Sequence, residues 1–185
     1  MAYMFLEAVR HALSEAKATA MRLGSSYINS EHILLGLLYS DQGAIRTFLG
    51  RHQVSGEQLI ADVLEHIHEN TDEIIEQVEF PYTSKAKRAV EHAVAQAGHL
   101  QSHAIGAEHL LLGVLLEERS LASQTLQSAG IAIHDLQAYI QAIYPAQPAA
   151  PVGGGIPARP IRTSSSLSTP PSSSALHEES EFGDA

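Results

Sequence analysis

Two acid–histidine pairs, Glu31–His32 and Glu108–His109, are the residues of this 185-residue chain whose types and spacing could do chemistry. A carboxylate accepts charge-assisted hydrogen bonds from a cationic donor, so the repeated acid marks two related candidate surface sites. The plainer reading stands beside it. An acid in the first turn of a helix gains roughly 0.3–1 kcal/mol from the backbone dipole and free amides. The chain has 11 histidines, which raises the question of metal. Glu-His is not His-Glu-x-x-His, and neither histidine has a second one four residues away, so packed or hydrogen-bonded imidazoles are expected. His66 and His68, flanked by Glu65 and Glu69, form a weaker cluster, because positions i and i+2 of a helix point to different faces. There is no nucleophile elbow, no triad spacing and no acid pair inside an apolar segment. No G-x-x-x-x-G-K-[ST] loop cradles a nucleotide. The expectation is a protein that is not an enzyme and takes no cofactor or metal.

The two pairs are positioned by copies of one unit. YINSEHILLGLL, residues 27–38, returns 77 positions later, pairing Ile28/Ile105, Glu31/Glu108, His32/His109, Leu34/Leu111, Leu35/Leu112, Gly36/Gly113 and Leu38/Leu115. The flanks repeat as well. Phe5, Val9, Ala12, Leu13, Ala16, Ala20 and Leu23 form a helical apolar stripe, matched by Tyr82, Ala86, Ala89, Val90, Ala93, Ala97 and Leu100. Gly24 ends the first stripe where a left-handed residue is wanted, and Gln101 is a poorer stop in the second. Ser30 is the expected N-cap of a helix Glu31–Tyr39, a place where Ala107 cannot cap. Further helices are expected at 42–50 and 120–128, with Leu49 and Leu126 in register. A last pair is expected at 56–67 and 134–143, with Val54/Ile131, Leu59/Leu136 and Val63/Ile140 in register. Gly36 and Gly113 lie inside helices, where glycine costs about 1 kcal/mol relative to alanine, so close approach of a neighbouring helix is expected at both. The fold class is therefore all-α: eight helices in two pseudo-symmetric groups of four. Repeat one covers about 3–67 and repeat two about 80–144, joined by an acidic linker around 68–81.

Composition agrees. Hydrophobic residues make up 44% with no Trp, which suits a core of small and aliphatic side chains. Cysteine is absent, which removes disulfides and thiolate chemistry and fits a reducing, cytoplasmic setting. No run of 18 apolar residues spans a membrane, and the N-terminus lacks a signal-peptide core. The formal net charge of −10 argues against nucleic acid as a partner. Glu57, Asp62, Glu65, Glu69, Asp72, Glu73, Glu76 and Glu79 fall in a stretch without Lys or Arg, either a solvated face or an attractor of basic segments. From 145 to 185 the chain is rich in Pro, Gly and Ser and reads as a flexible linker or tail, of random-coil span roughly 35 Å. Charge returns in its last ten residues, LHEESEFGDA, as it would ahead of a further domain.

The doubled E-H-[IL]-L-L-G-[LV]-L with its matching stripes resembles the N-terminal domain of Clp ATPases, particularly the ClpC/ClpA type, over residues 5–144. The resemblance implies a module that recruits protein substrates and adaptors to an ATP-driven ring and its protease. It also implies recognition of phosphorylated arginine, with Glu31 and Glu108 meeting the guanidinium. The family's phosphate-holding threonine is matched by Thr83, followed by Lys85 and Lys87. The first copy has Leu6, Ala8 and Arg10 at those places. On that basis the second copy, Glu108 with Thr83 and Lys85, is the expected anion site. Two alternatives stay open: a stand-alone accessory protein that binds and modulates a Clp complex, and a small helical metal-binding or enzymatic protein that uses the histidines.

Overall fold

The computed structural model describes residues 4–40, 43–67 and 80–145. Residues 68–79 of the expected 68–81 linker and 146–185 of the expected 145–185 tail lie outside the described residues, as do His68 and Glu69 of the histidine cluster. Among the described residues eight helices occur: α1 (Glu7–Arg22), α2 (Ser30–Tyr39), α3 (Gly43–Arg51), α4 (Gly56–Ile67), α5 (Ser84–His99), α6 (Ala107–Leu116), α7 (Leu121–Ser128) and α8 (Ile133–Ile143). They form the two groups of four that the repeat predicts.

Each group is built on an alanine-faced helix laid against a leucine-rich one. In α1, Val9, Ala12, Ala16 and Ala20 are fully buried, and in α5 so are Ala86, Ala89, Ala93 and Ala97. These small faces let α2 and α6 approach closely, and the glycines set the limit. A Cβ on Gly36 would collide with the Ala12 carbonyl oxygen and sit 2.7 Å from the Ala16 nitrogen. On Gly113 it would collide with the Ala89 carbonyl and sit 2.8 Å from the Ala93 nitrogen. α2 and α6 are buried along nearly their whole length, with Ile33, Leu34, Leu35, Leu37, Leu110, Leu111, Leu112, Val114 and Leu115 in one continuous core.

The repeats are clasped by an exchange that periodicity did not reveal. Residues Met4–Phe5 (β1) pair in parallel with Ala104–Ile105 (β2), so the start of repeat one adds to the loop before α6. Reciprocally, Tyr82 at the start of repeat two bridges Ile28 in the loop before α2. With the 77-residue offset, Phe5 is the counterpart of Tyr82 and Ile28 of Ile105, so the two contacts are one contact seen twice. The Leu6 amide donates to the Ile105 carbonyl and the Thr83 amide to the Ile28 carbonyl, both at 3.0 Å.

Two cap assignments differ from expectation. α2 begins at Ser30 and its N-cap is Asn29; α6 begins at Ala107 with Gly106 as N-cap. The reason is the histidine at the third helical position. His32 Nδ1 accepts the Asn29 amide at 3.0 Å, and His109 Nδ1 accepts the Gly106 amide at 3.2 Å. Imidazole thus takes the part of the reaching-back Glu or Gln of a capping box, and the cap moves one residue earlier. Ser120 is an N-cap rather than a helical residue, accepting the Ser123 amide at 3.0 Å.

The helix stops follow the reading. Gly24 (φ 68) is left-handed, and Gln101 (φ 54) adopts the same conformation without glycine's freedom. The opposite imbalance holds after the third helix of each repeat, where Gln53 (φ 57) matches Gly130 (φ 86). A side chain in this region costs about 1–2 kcal/mol, part of which glycine returns through unfolded-chain entropy. Gln101→Gly is therefore expected to raise stability by about 0.5–1 kcal/mol, read as a higher urea midpoint at unchanged slope.

Candidate functional site

The exchanged segments decide which residues meet. Because the Thr83 amide is bonded to Ile28, the start of α5 lies beside the start of α2, not α6. A cavity of about 290 Å³ opens there. Repeat one supplies the turn Leu23–Tyr27, then Asn29, Glu31 and His32 from the start of α2 and His66 and Ile67 from the end of α4; repeat two supplies Lys85 and Leu121. The sequence expectation put Thr83 and Lys85 with Glu108. The structure instead sets Lys85 in the cavity of Glu31 and bonds the Thr83 amide to Ile28 in the loop before α2, because each repeat lends its N-terminal segment to the other.

Glu31 is 9% exposed. Its Oε1 accepts the Leu121 amide at 3.1 Å, at the N-terminus of α7 in the other repeat, and its Oε2 accepts the Ser30 hydroxyl at 3.2 Å. Each carboxylate oxygen keeps a lone pair for a further donor. Across the cavity Lys85 is exposed and its Nζ donates to the Arg119 carbonyl at 2.8 Å. Thr83 caps α5 by accepting the Ala86 amide at 3.3 Å, which leaves its own hydroxyl hydrogen available as a donor. Lys87 is exposed one turn into α5. An acceptor, Glu31, and a donor, Lys85, thus line one opening, with Thr83 two residues before Lys85 on the segment bonded to Ile28, an arrangement suited to a ligand carrying a cation and an anion together.

His32 forms part of the same wall. With Nδ1 accepting from Asn29, the neutral ring carries its hydrogen on Nε2, which is buried without a partner. Burial lowers its pKa below the ordinary value near 6.5, against an upward pull from Glu31. In repeat two the matching His109 Nε2 pairs with the Ser102 hydroxyl at 3.0 Å. The counterpart of Ser102 is Ser25, whose hydroxyl donates instead to the Tyr27 carbonyl at 2.8 Å.

Glu108 is placed differently. It is 3% exposed, and its Oε1 and the Tyr144 hydroxyl crowd the same space beside Gly106, where a Cβ would collide with the first and stand 2.8 Å from the second. Burial and the adjacent Glu108 push that phenol well above its ordinary pKa, which keeps it a donor. The Tyr144 ring also packs on His109, with centroids 5.2 Å apart. Glu108 Oε1 lies 3.3 Å from His109 Nδ1, but that nitrogen already accepts the Gly106 amide, so Oε1 has no donor. The neighbouring first segment contributes Leu6, which has nothing to donate.

Of the histidine cluster, His66 Nδ1 is bonded to the Asp62 carbonyl at 2.7 Å, and among the described residues no group of three metal-ligating side chains occurs. Of the acidic run, Glu57, Asp62 and Glu65 lie on α4 and the others are outside the described residues. No helix among the described residues is long and apolar enough to cross a membrane. A larger cavity of about 670 Å³ lies between α2, α3 and α4, lined by Leu37, Leu38, Ile45, Leu49, Val54 and Ile60 among others, and contains none of the predicted site residues.

Comparison with known proteins places this geometry in context. The family model of the Clp repeat (R) N-terminal domain matches residues 4–129 and again residues 81–160. The chain is 30% identical over 130 residues to the negative regulator of genetic competence ClpC/MecB of Bacillus subtilis, covering 70% of this chain and 16% of that protein. It is 28% identical over 134 residues to the ATP-dependent Clp protease ATP-binding subunit ClpC of Staphylococcus aureus, covering 72% of this chain and again 16% of the relative. The chain therefore spans about a sixth of the length of these curated relatives. Among solved structures, the Hsp104 N-terminal domain of Candida albicans superimposes with a TM-score of 0.62 at 15% identity, over 78% of this chain and 93% of that one. The N-terminal domain of ClpD from Arabidopsis thaliana gives 0.59 at 22% identity, over 78% and 97%. Likeness at these identities speaks for the fold alone.

Proposed function

The chain belongs to the Clp repeat N-terminal domain family, and from that premise we propose that it is the recognition module of a Clp-type unfoldase and protease system, which docks substrates and adaptors and binds phosphoarginine at the Glu31 cavity. It has no Walker loop, so ATP-driven work falls to other parts of the assembly. The observation that supports the reading is that Glu31 and Lys85 line one cavity across the repeat boundary, with Thr83 at the start of the same segment. The Glu31 carboxylate receives the guanidinium in a charge-assisted pair. The Thr83 hydroxyl and the Lys85 ammonium take the phosphoryl oxygens, Lys85 leaving the Arg119 carbonyl for a full negative charge. Recognition needs no rearrangement of helices, only a few side-chain rotations on a rigid platform.

Calorimetric titration with phosphoarginine and with free arginine tests this. Phosphoarginine is expected to bind and free arginine to bind far more weakly. Glu31→Ala should weaken phosphoarginine binding by at least about 10-fold, the scale of one lost charge-assisted pair. Lys85→Ala should narrow the gap between the two ligands. Unaltered binding in Glu31→Ala leaves that carboxylate as an anchor for α7 and nothing more.

A further inference from the structure

The two acidic positions are equivalent in sequence and unlike in structure, and the difference traces to two substitutions between the repeats. The first is at the N-cap, where repeat one has Asn29 and repeat two has Gly106. A Cβ on Gly106 would collide with Glu108 Oε1 and stand 2.8 Å from the Tyr144 hydroxyl. The space that lets Glu108 fold back over its own helix start therefore exists only because residue 106 is glycine. Asn29 has a side chain there, and Glu31 turns outward to the Leu121 amide instead. The backbone at Gly106 (φ −92, ψ 174) is ordinary extended geometry, so glycine is not required by the main chain.

The second substitution is at the end of the fourth helix, where Ile67 of repeat one has Tyr144 as its counterpart. Ile67 lines the open Glu31 cavity. Tyr144 instead sets its hydroxyl beside the Gly106–Glu108 helix start and lays its ring on His109. The phenol hydroxyl and the acid share the space beside Gly106, and Glu108 Oε1 is left buried and unpaired.

We infer that Gly106 and Tyr144 sequester Glu108, so that the chain carries one working ligand site, at Glu31, and a second that is built but plugged. The inference rests on the phosphoarginine reading of the Glu31 cavity, and it names the residues that set the number of sites. A missing threonine and lysine alone do not make the asymmetry: Leu6 and Ala8 remove the anion donors of repeat two's site, while Gly106 and Tyr144 remove its carboxylate.

The test uses the full chain and two readouts. In calorimetry with phosphoarginine, the wild type should bind one molecule per chain. Leu6→Thr/Ala8→Lys, which restores the anion donors but leaves the plug, should still bind one. Adding Gly106→Asn and Tyr144→Ile, the residues of repeat one at the same places, should give two. Two sites in Leu6→Thr/Ala8→Lys would overturn the inference, as would a single site in the fourfold variant with wild-type circular dichroism. Wild type binding none would sink the phosphoarginine reading and leave the plug to the second readout. That readout is carbodiimide labelling of carboxyl groups, located by mass spectrometry, on wild type and on Gly106→Asn/Tyr144→Ile. Glu108 should be unreactive in the wild type and labelled at least about 10-fold faster in the variant, since reagent access tracks the population of the open form. Equal labelling in both refutes sequestration whatever the ligand.

Discussion

Gly113→Ala is expected to destabilise the domain by about 3 kcal/mol or more, the upper part of the range for an overpacked core. Helix propensity alone predicts the opposite sign, a gain of about 1 kcal/mol. Tertiary contact decides. The new methyl group would collide with the Ala89 carbonyl oxygen and lie 2.8 Å from the Ala93 nitrogen, and both are backbone atoms that cannot rotate away. Relief requires α5 and α6 to separate, which opens the contact along the whole alanine face. Gly36→Ala should behave alike, through Ala12 and Ala16. Gly50→Ala is the control. Gly50 lies in α3 with open space where its Cβ would go, so that change should be neutral or mildly stabilising. Urea titration of the three variants checks the set, and for a domain of this size the first two should melt lower by about 10 °C. A Gly113→Ala protein as stable as wild type would mean that the helix pair is not packed at this distance.

The second large effect separates the two histidines. His109→Phe should cost about 2–4 kcal/mol, because it strands two buried groups, the Gly106 amide and the Ser102 hydroxyl. His32→Phe strands only the Asn29 amide, since Nε2 has no partner to lose, and should cost about 1–2 kcal/mol. The pH profile supplies a second check. Burial depresses the His32 pKa in the folded state, so the folded protein prefers the neutral ring. That contribution is whole above the ordinary value near 6.5 and is lost as pH falls through the lower folded value. Wild type should therefore lose stability between pH 7 and pH 5 more steeply than His32→Phe, the pH range being about that over which an ordinary histidine titrates. Equal slopes would show that His32 does not titrate with folding.

Much of the fold was legible in residue order. The stripe of Val9, Ala12, Ala16 and Ala20 and its copy 77 positions on are periodic, and periodicity reports burial directly. Gly36 and Gly113 announced close helix contact because glycine inside a helix is otherwise costly. Gly24 marked a stop for the same kind of reason. The α2 cap differs from expectation by one residue, since Asn29 and Ser30 cap about equally well by type and only the reach of the histidine ring decides between them. The site was legible as residue types but not as a grouping. Glu31, Thr83 and Lys85 are each visible, yet their association depends on Tyr82 bridging Ile28. Tyr144 and Gly106 were passed over, although aligning the repeats sets them against Ile67 and Asn29 and could have flagged them.

By itself, then, residue order determined that one helical unit is built twice, which faces are buried, and that the chain carries no nucleotide loop, because these follow from local spacing and side-chain type. Only the tertiary structure decided that each repeat lends its first segment to the other, that Glu31 is the acid facing an open cavity, and that Glu108 is buried. Those outcomes depend on hydrogen bonds and collisions between residues far apart in the chain, and no local pattern encodes a distance across the fold.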